Sequence, residues 1–304
     1  MRILLQFPEG LKKNAMKEAK KLEKDGHEVF VSLSPCFGAC DIAFYEAERI
    51  GADKIIHYGH SYFPIPKKFS KIKVEYREFL IKVPWRRLLG KALGYVRDCR
   101  TVGIATTVQH IEQLEEIKGF LEKNGKIVLI GKGKLAKYAG QILGCDLGAL
   151  ESVEKKADCL IYFGGGLFHP LGMKKRILVI DPFMKRVFWL ECEDSGKRMR
   201  RGAVALANAK RVGIFLSTKA GQFKMKTALE IKKKIERMGK GAVMLVGDNI
   251  TREQIENFAS FDLIVNTACP RIADDELGRP VLNADEVEAL STAFRQETQP
   301  SQPS

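Results

Sequence analysis

No apolar run in this 304-residue chain approaches the roughly 20 residues that a membrane-crossing helix needs. The opening MRILLQFPEGL passes straight into a strand pattern, with neither the apolar stretch nor the small-residue cleavage site of a secretory signal. The expected location is therefore cytoplasmic, and no membrane partner is expected. In a reducing compartment the seven cysteines read as thiols or metal ligands rather than as disulfides. Close cysteine pairs are scarce as well. Cys36 and Cys40 form the one such pair, so a zinc site of the usual paired kind lacks its second half. The local three-cysteine cluster loop C-x-x-x-C-x-x-C is absent, because CFGAC continues as DIA. No RNA-stacking motif is visible, and no direct contact with nucleic acid is expected. GKGKLA (131–136) resembles a dinucleotide fingerprint with alanine in the last place. It lacks the acidic residue about 20 positions on, and reads instead as a loop leading to Cys145.

What is present is ordinary for a soluble protein: hydrophobic residues make up 45% and charged residues 29%. The length exceeds what one core usually serves, so two or three domains are expected. The net charge of +14 favours an acidic partner. Its densest stretch, Lys224–Gly241, has Met225, Ala228, Leu229, Ile235 and Met238 at helical spacing. That pattern describes an amphipathic helix with a solvated lysine face.

Three segments repeat one order of strands and helices. The first runs RILLQFP, a helix from about Leu11 to Asp25, HEVFVS, a turn with Cys40, the helix IAFYEAERIG, and DKIIHYGHS. The second runs TVGIATT, IEQLEEIKGFLEKNG, KIVLIG, a turn with Cys145, LGALESVEKKAD and CLIYFGGG. The third runs RVGIFLST, the lysine-rich helix, GAVMLVGD, TREQIENFAS and DLIVNTA. Continuous Val- and Ile-rich runs are the mark of strands covered on both faces, and their alternation with amphipathic helices is the βαβ signature. KVEYREFLI and RILVIDPFMKRVFWL each add an edge strand and a linker, the second linker continuing into EDSGKRMRRG. The fold class is α/β, with three similar βαβ-type domains and small parallel sheets. The domains are expected at 1–98, 99–200 and 201–304, with a disordered tail at 296–304.

Ligands bind such sheets outside the C-terminal edge of the strands. Cys40 and Cys145 follow the second strand of their units, and Cys269 follows the third strand of its own. If the three edges face one centre, each unit supplies one thiolate. Thiolates favour zinc, copper(I) or iron–sulfur clusters. Three dispersed cysteines without an obvious fourth suit a cluster that keeps one iron open to substrate. Cys159, inside an apolar strand, reads as core, and Cys99 and Cys192 lie at linkers. Cys36 stands as an alternative to Cys40.

Other motifs lie at the same strand ends. Three glycines in YFGGGLFHP let a ligand approach the backbone of Gly164 and Gly165, with His169 nearby to hydrogen-bond it or to cap the turn. HYGHS, with His57 and His60, occupies the equivalent place in the first unit, as a polar pocket wall or as metal ligands. Gln222 in STKAGQF offers an amide to an amino-acid-like ligand or to its own loop. In CPRIADD, Arg271 holds either a carboxylate or an ion pair with Asp274 or Asp275.

FGACD, GHS, GQILGC, GGLFHP, GQ and ACPRIADD occur in the order in which the diphthamide biosynthesis family carries its motifs. The chain resembles the archaeal type of that family over about residues 1–288, departing from it in Phe37 and in the extra thiol Cys36. The resemblance implies three α/β domains in a pseudo-threefold arrangement around a central 4Fe-4S cluster held by Cys40, Cys145 and Cys269. It implies S-adenosylmethionine as co-substrate, with His60, Gly164, Gly165, His169, Gln222, Arg271 and Asp274 as candidate contacts by loop position. It further implies radical transfer of the 3-amino-3-carboxypropyl group to a histidine of translation elongation factor 2, a homodimer, and a separate electron donor. Two other readings compete. One is a quinolinate synthase-like cluster enzyme; the other is a basic RNA- or ribosome-binding protein with structural zinc.

Overall fold

The computed structural model describes residues 1–69, 72–191, 195–258 and 260–297. The chain divides into two compact units, Met1–Cys192 and Glu193–Ser304. None of the helices described is long and apolar enough to cross a membrane.

The first unit holds two sheets. The first is built from β1 (Arg2–Gln6), α1 (Ala15–Lys24), β2 (Glu28–Val31), α2 (Phe44–Arg49), β3 (Lys54–Tyr58) and β4 (Lys73–Arg77). Its order is β2-β1-β3-β4, parallel throughout, with β4 at the edge as expected. Both faces are covered, and the continuous apolar run of β1 follows from that. Ile3 and Leu5 pack with Ala15, Ala19 and Leu22 of α1, while Leu4 points the other way, to Ala47 of α2 and Ile55. The helix expected from Leu11 starts later, because residues Glu9–Asn14 form a 3-10 turn behind Pro8.

The second sheet comprises α3 (Arg86–Tyr95), β5 (Thr101–Thr106), α4 (Leu114–Lys123), β6 (Ile127–Leu129), α5 (Gly148–Glu151), β7 (Cys159–Phe163), β8 (Ile177–Asp181) and β9 (Arg186–Leu190). The order is β6-β5-β7-β8-β9, and only β9 runs antiparallel. Val102 and Ile104 pack under α3 and α4 with Leu89, Ile117 and Leu121. Ala105, Leu160 and Tyr162 face Ala149 and Leu150 of α5. RILVIDPFMKRVFWL thus makes two strands where one edge strand was expected. The Asp181 carboxylate makes the turn by accepting the N–H groups of Phe183 (2.8 Å) and Met184 (2.9 Å), and Lys185 adopts a φ of 52°.

The second unit is built from α6 (Ser195–Asn208), β10 (Arg211–Ser217), α7 (Met225–Arg237), β11 (Gly241–Gly247), α8 (Arg252–Glu256), β12 (Leu263–Asn266), β13 (Val281–Asn283) and α9 (Ala284–Glu297). Its strands are all parallel, in the order β11-β10-β12-β13. The segment read as a linker at EDSGKRMRRG is, from Ser195 on, the start of α6. Lys197, Arg200 and Arg201 are its exposed face, while Met199 and Leu206 join the core. Gly202 sits so close to the sheet that a Cβ there would lie 2.7 Å from Leu282. The helical spacing of α7 does not coincide with its buried face: the buried stripe is Ala228, Ile231 and Ile235, and Met225 and Leu229 are exposed. In the expected disordered tail, residues 296 and 297 belong to α9, and 298–304 lie outside the described residues.

The difference between buried and exposed apolar positions is measurable. Leu121→Ala, fully buried between α4 and the second sheet, is expected to cost about 2–5 kcal/mol. Leu229→Ala, on the outer face of α7, should change stability by less than about 0.5 kcal/mol. Urea denaturation of the two variants checks both values.

Candidate functional site

All three cysteine loops leave the C-terminal edge of a parallel sheet, and a polar group at a central strand end pins each one. In the first sheet Gln6 ends β1 and is buried. Its amide donates to the Asp41 carbonyl at 2.6 Å and accepts the Ala43 N–H at 3.2 Å, which fixes the turn holding Cys40. In the second sheet Thr106 ends β5. Its N–H donates to the Gly140 carbonyl (2.8 Å) and its carbonyl accepts the Ile142 N–H (2.9 Å), so the chain enters the Cys145 turn alongside the strand end. In the third sheet Asn266 ends β12. Its side chain donates to the Cys269 carbonyl (2.7 Å) and accepts the Ala268 N–H (3.0 Å).

The Cys145 turn is closed by paired backbone bonds between Leu143 and Asp146. The Asp146 carboxylate accepts the N–H groups of Leu135, Ala136 and Gly148. A Cβ on Gly133 would lie 2.4 Å from that carboxylate, and one on Gly131 would lie 2.4 Å from the Ala149 carbonyl. The glycines of GKGKLA therefore allow the chain to wrap around Asp146. Cys145 itself is exposed.

Cys269 precedes a 3-10 turn, Pro270–Asp274. Burial pushes its thiol up, and Arg271, Lys224 and Lys219 act in the opposite direction. Such surroundings favour a thiolate once a cation or cluster compensates the burial. Arg271 pairs with Asp274 at 2.6 Å, and Asp274 also pairs with Arg198 at 3.0 Å. This is the ion pair that the sequence left open as one reading of Arg271. Gln222 is buried in the turn after β10, its N–H donating to the Lys219 carbonyl at 2.9 Å. Cys159 behaves as core: burial and a hydrogen bond with the Cys99 thiol push its thiol up.

The GHS and GQILGC motifs meet inside the first unit. Gln141 donates to the Ser61 hydroxyl at 2.8 Å, and Gln109 donates to the Gly59 carbonyl at 3.0 Å. The two motif glycines have no substitute here. Gly59 has a φ of 88° with Pro8 2.9 Å from a would-be Cβ; Gly140 has a φ of 73° with Leu114 at 2.2 Å. His57 sits between Gln6 and His60, each contact at 2.9 Å. Burial, with His60 adding to it, holds His57 well below the usual imidazole range. Burial and the nearby His169 bring His60 down to about 4. Both rings are therefore neutral at pH 7.

Beside these rings the same unit contains a cavity of about 490 Å³, lined by Gly165, Gly166, His169, Gln109, His110, Asp181 and Phe183 among others. Of the residues singled out in the sequence, Gly165 and His169 lie on its wall, and Gly164 precedes them at the end of β7. Gln109, His110, Asp181 and Phe183 went unnoticed in the sequence. The one available signal was that Gln109 and His110 directly follow the C-terminal end of β5. Asp181 also accepts the Gly166 N–H at 3.3 Å, so a single carboxylate joins the glycine turn to the β8–β9 turn.

Residues 7–301 match the family model described as "Putative diphthamide synthesis protein". The chain belongs to the diphthamide synthesis family. Among curated relatives of this family, the 2-(3-amino-3-carboxypropyl)histidine synthase of Pyrococcus horikoshii is 36% identical over 299 residues, covering 95% of this chain and 85% of that protein. The enzyme of the same name from Methanocaldococcus jannaschii is 26% identical, over 90% of this chain and 79% of its own length. Among solved structures, Dph2 from Pyrococcus horikoshii superimposes with a TM-score of 0.86 at 33% identity, covering 96% of this chain and 86% of the other. The same protein solved with a 4Fe-4S cluster gives a TM-score of 0.84.

The role of Asp146 in this diphthamide synthesis protein can be tested directly. Asp146→Ala leaves three N–H groups of the Cys145 loop without their acceptor, at an expected cost of about 1–3 kcal/mol. Thermal unfolding should register that loss. Iron and acid-labile sulfide per chain should fall after anaerobic reconstitution, although all cysteines are retained.

Proposed function

We propose that this chain is a 2-(3-amino-3-carboxypropyl)histidine synthase, catalysing the first step of diphthamide biosynthesis. The observation that carries this reading is the match, over nearly the whole length, to the Pyrococcus horikoshii enzyme of that name. In this reading Cys40, Cys145 and Cys269 hold a 4Fe-4S cluster, one from each of three domains in a pseudo-threefold arrangement. The donor set fits the group. Three soft thiols in strand-end turns suit iron–sulfur ligation, Cys145 is exposed, and cations surround Cys269. When bound, the cluster supplies the electron that cleaves the sulfur–γ-carbon bond of S-adenosylmethionine, giving methylthioadenosine and a 3-amino-3-carboxypropyl radical that adds to a histidine imidazole.

The protein's part is to bind, orient and keep water out. The cavity beside β7 and β8 falls within the roughly 300–1,000 Å³ common to small-molecule sites. Gly164 and Gly165 let a ligand lie against the backbone, and His169 offers a hydrogen bond. His60, held neutral by burial and by the nearby His169, stands behind the His169 side of the cavity wall as a polar group without adding charge. Ile81, Phe183 and Met184 supply apolar wall. In the second unit Gln222, Arg271 and Asp274 serve the amino-acid end of the co-substrate, Arg271 sharing its charge between Asp274 and a carboxylate. The protein substrate is translation elongation factor 2, and the net charge of +14 suits docking of an acidic partner. The chain works as a cytoplasmic homodimer fed by a separate electron donor.

Product analysis tests the reading. Anaerobically reconstituted protein with dithionite and S-adenosylmethionine should release methylthioadenosine only when the cluster is reduced. Release of 5′-deoxyadenosine, or no cleavage from an intact reduced cluster, would sink it. Cys40→Ala, Cys145→Ala and Cys269→Ala should each abolish methylthioadenosine formation, and Cys159→Ala should leave it nearly unchanged. Activity retained in any of the first three removes that residue from the ligand set.

A further inference from the structure

Cys36 is absorbed by neither the cluster nor the cavity. It is buried, and its sulfur lies with one nitrogen each of His57 and His60 in a group whose atoms are all within 4.8 Å of one another. His57 is also fully buried and His60 partly so, and soft and borderline donors therefore converge there with limited access to water. We propose that Cys36, His57 and His60 form a second, mononuclear metal site for a zinc-like divalent cation, distinct from the three-cysteine set. The ion clamps the loop that carries Cys40 to the end of β3.

The hydrogen bonds around His57 fix which nitrogen is available. Gln6 donates through its amide nitrogen to the Asp41 carbonyl, and its amide oxygen accepts from the Ala43 N–H. That oxygen faces His57 Nδ1 at 2.9 Å, so Nδ1 must carry the proton. His57 Nε2 therefore holds a lone pair, directed at His60 Nδ1 at 2.9 Å. An imidazole whose far nitrogen donates to a fixed acceptor is the form that ligates metal ions, the acceptor setting both tautomer and ring orientation. Without metal, His60 fills that lone pair with its own Nδ1 proton. On binding, that proton moves to His60 Nε2, the Cys36 thiol proton leaves to solvent, and two imidazoles and a thiolate face the ion. Two nitrogens each about 2.0–2.1 Å from a tetrahedral zinc lie about 3.3 Å apart, so the rings must separate by about 0.4 Å and turn until both lone pairs meet at the ion instead of facing each other. One thiolate with two imidazoles suits zinc better than magnesium or calcium, and leaves a fourth position open.

Cobalt(II) titration of the full-length Cys40→Ser, Cys145→Ser, Cys269→Ser triple variant tests the site without the proposed cluster ligands. The expected result is one tightly bound cobalt per chain with a sulfur-to-cobalt charge-transfer band, displaced by zinc. Adding Cys36→Ser should remove the band and weaken binding at least about 10-fold. Adding His60→Gln should keep the band and weaken binding by a similar factor, so the site remains testable if the serine variant folds poorly. No stoichiometric binding, or a band that survives Cys36→Ser, overturns the proposal. Iron analysis of Cys36→Ser in the otherwise unaltered chain separates this inference from the proposed cluster. Iron and sulfide should remain, and their loss would make Cys36 a cluster ligand and overturn the second site.

Discussion

Parallel pairing is the constraint on which the rest depends. When β1, β5 and β10 each pair in parallel with both neighbours, every crossover must leave from one edge, and each cysteine loop begins there. The strands are apolar because helices cover both faces, which leaves their ends as the first place where polar side chains can sit. Gln6 and Asn266 use an amide to hold the following loop, and Thr106 uses its backbone. Hydroxyls reinforce the same edge: Thr106 donates to the Phe163 carbonyl at 2.6 Å, and Thr267 donates to the Phe215 carbonyl at 2.7 Å. A loop tied down in this way presents a thiol with little remaining freedom, as ligand geometry requires.

Electrostatics divides the strand-end residues into two kinds. Burial makes a charge expensive on His57 and on the partly buried His60, and they act as neutral hydrogen-bonding groups. Burial pushes the Cys269 thiol up as well, but there Arg271, Lys224 and Lys219 act against it. Gln6 links the histidine pair to the Cys40 turn, because the amide that fixes that turn also fixes the tautomer of His57.

The three-fold order of strands and helices was legible in the residues because burial on both faces leaves a continuous apolar run, as in β1 and β7. The places of Cys40, Cys145 and Cys269 in turns followed from that order. Other elements were concealed for definite reasons. The first turns of α6 carry so many basic residues that their inward stripe of Met199, Gly202 and Leu206 reads as a linker. The β8–β9 turn depends on the Asp181 carboxylate, which the short DPFMK segment does not advertise. On α7, Leu229 has helical spacing yet faces water, because Ile231 takes the place beside Ile235 in the core.

The sequence by itself determined the α/β class, the succession of strands and helices along each repeat and the family, since these rest on local periodicity and on motifs read within a few residues. Only the tertiary structure decided that GHS meets GQILGC, that Asp146 is the hub of the Cys145 loop, and that Gln109, His110 and Asp181 wall one cavity. It also decided that Cys36 faces two histidines from a different strand end. Periodicity records which face of an element is buried. It carries no information about which distant polar group fills the hydrogen-bonding capacity left at a strand end, because that is settled only when the chain closes on itself.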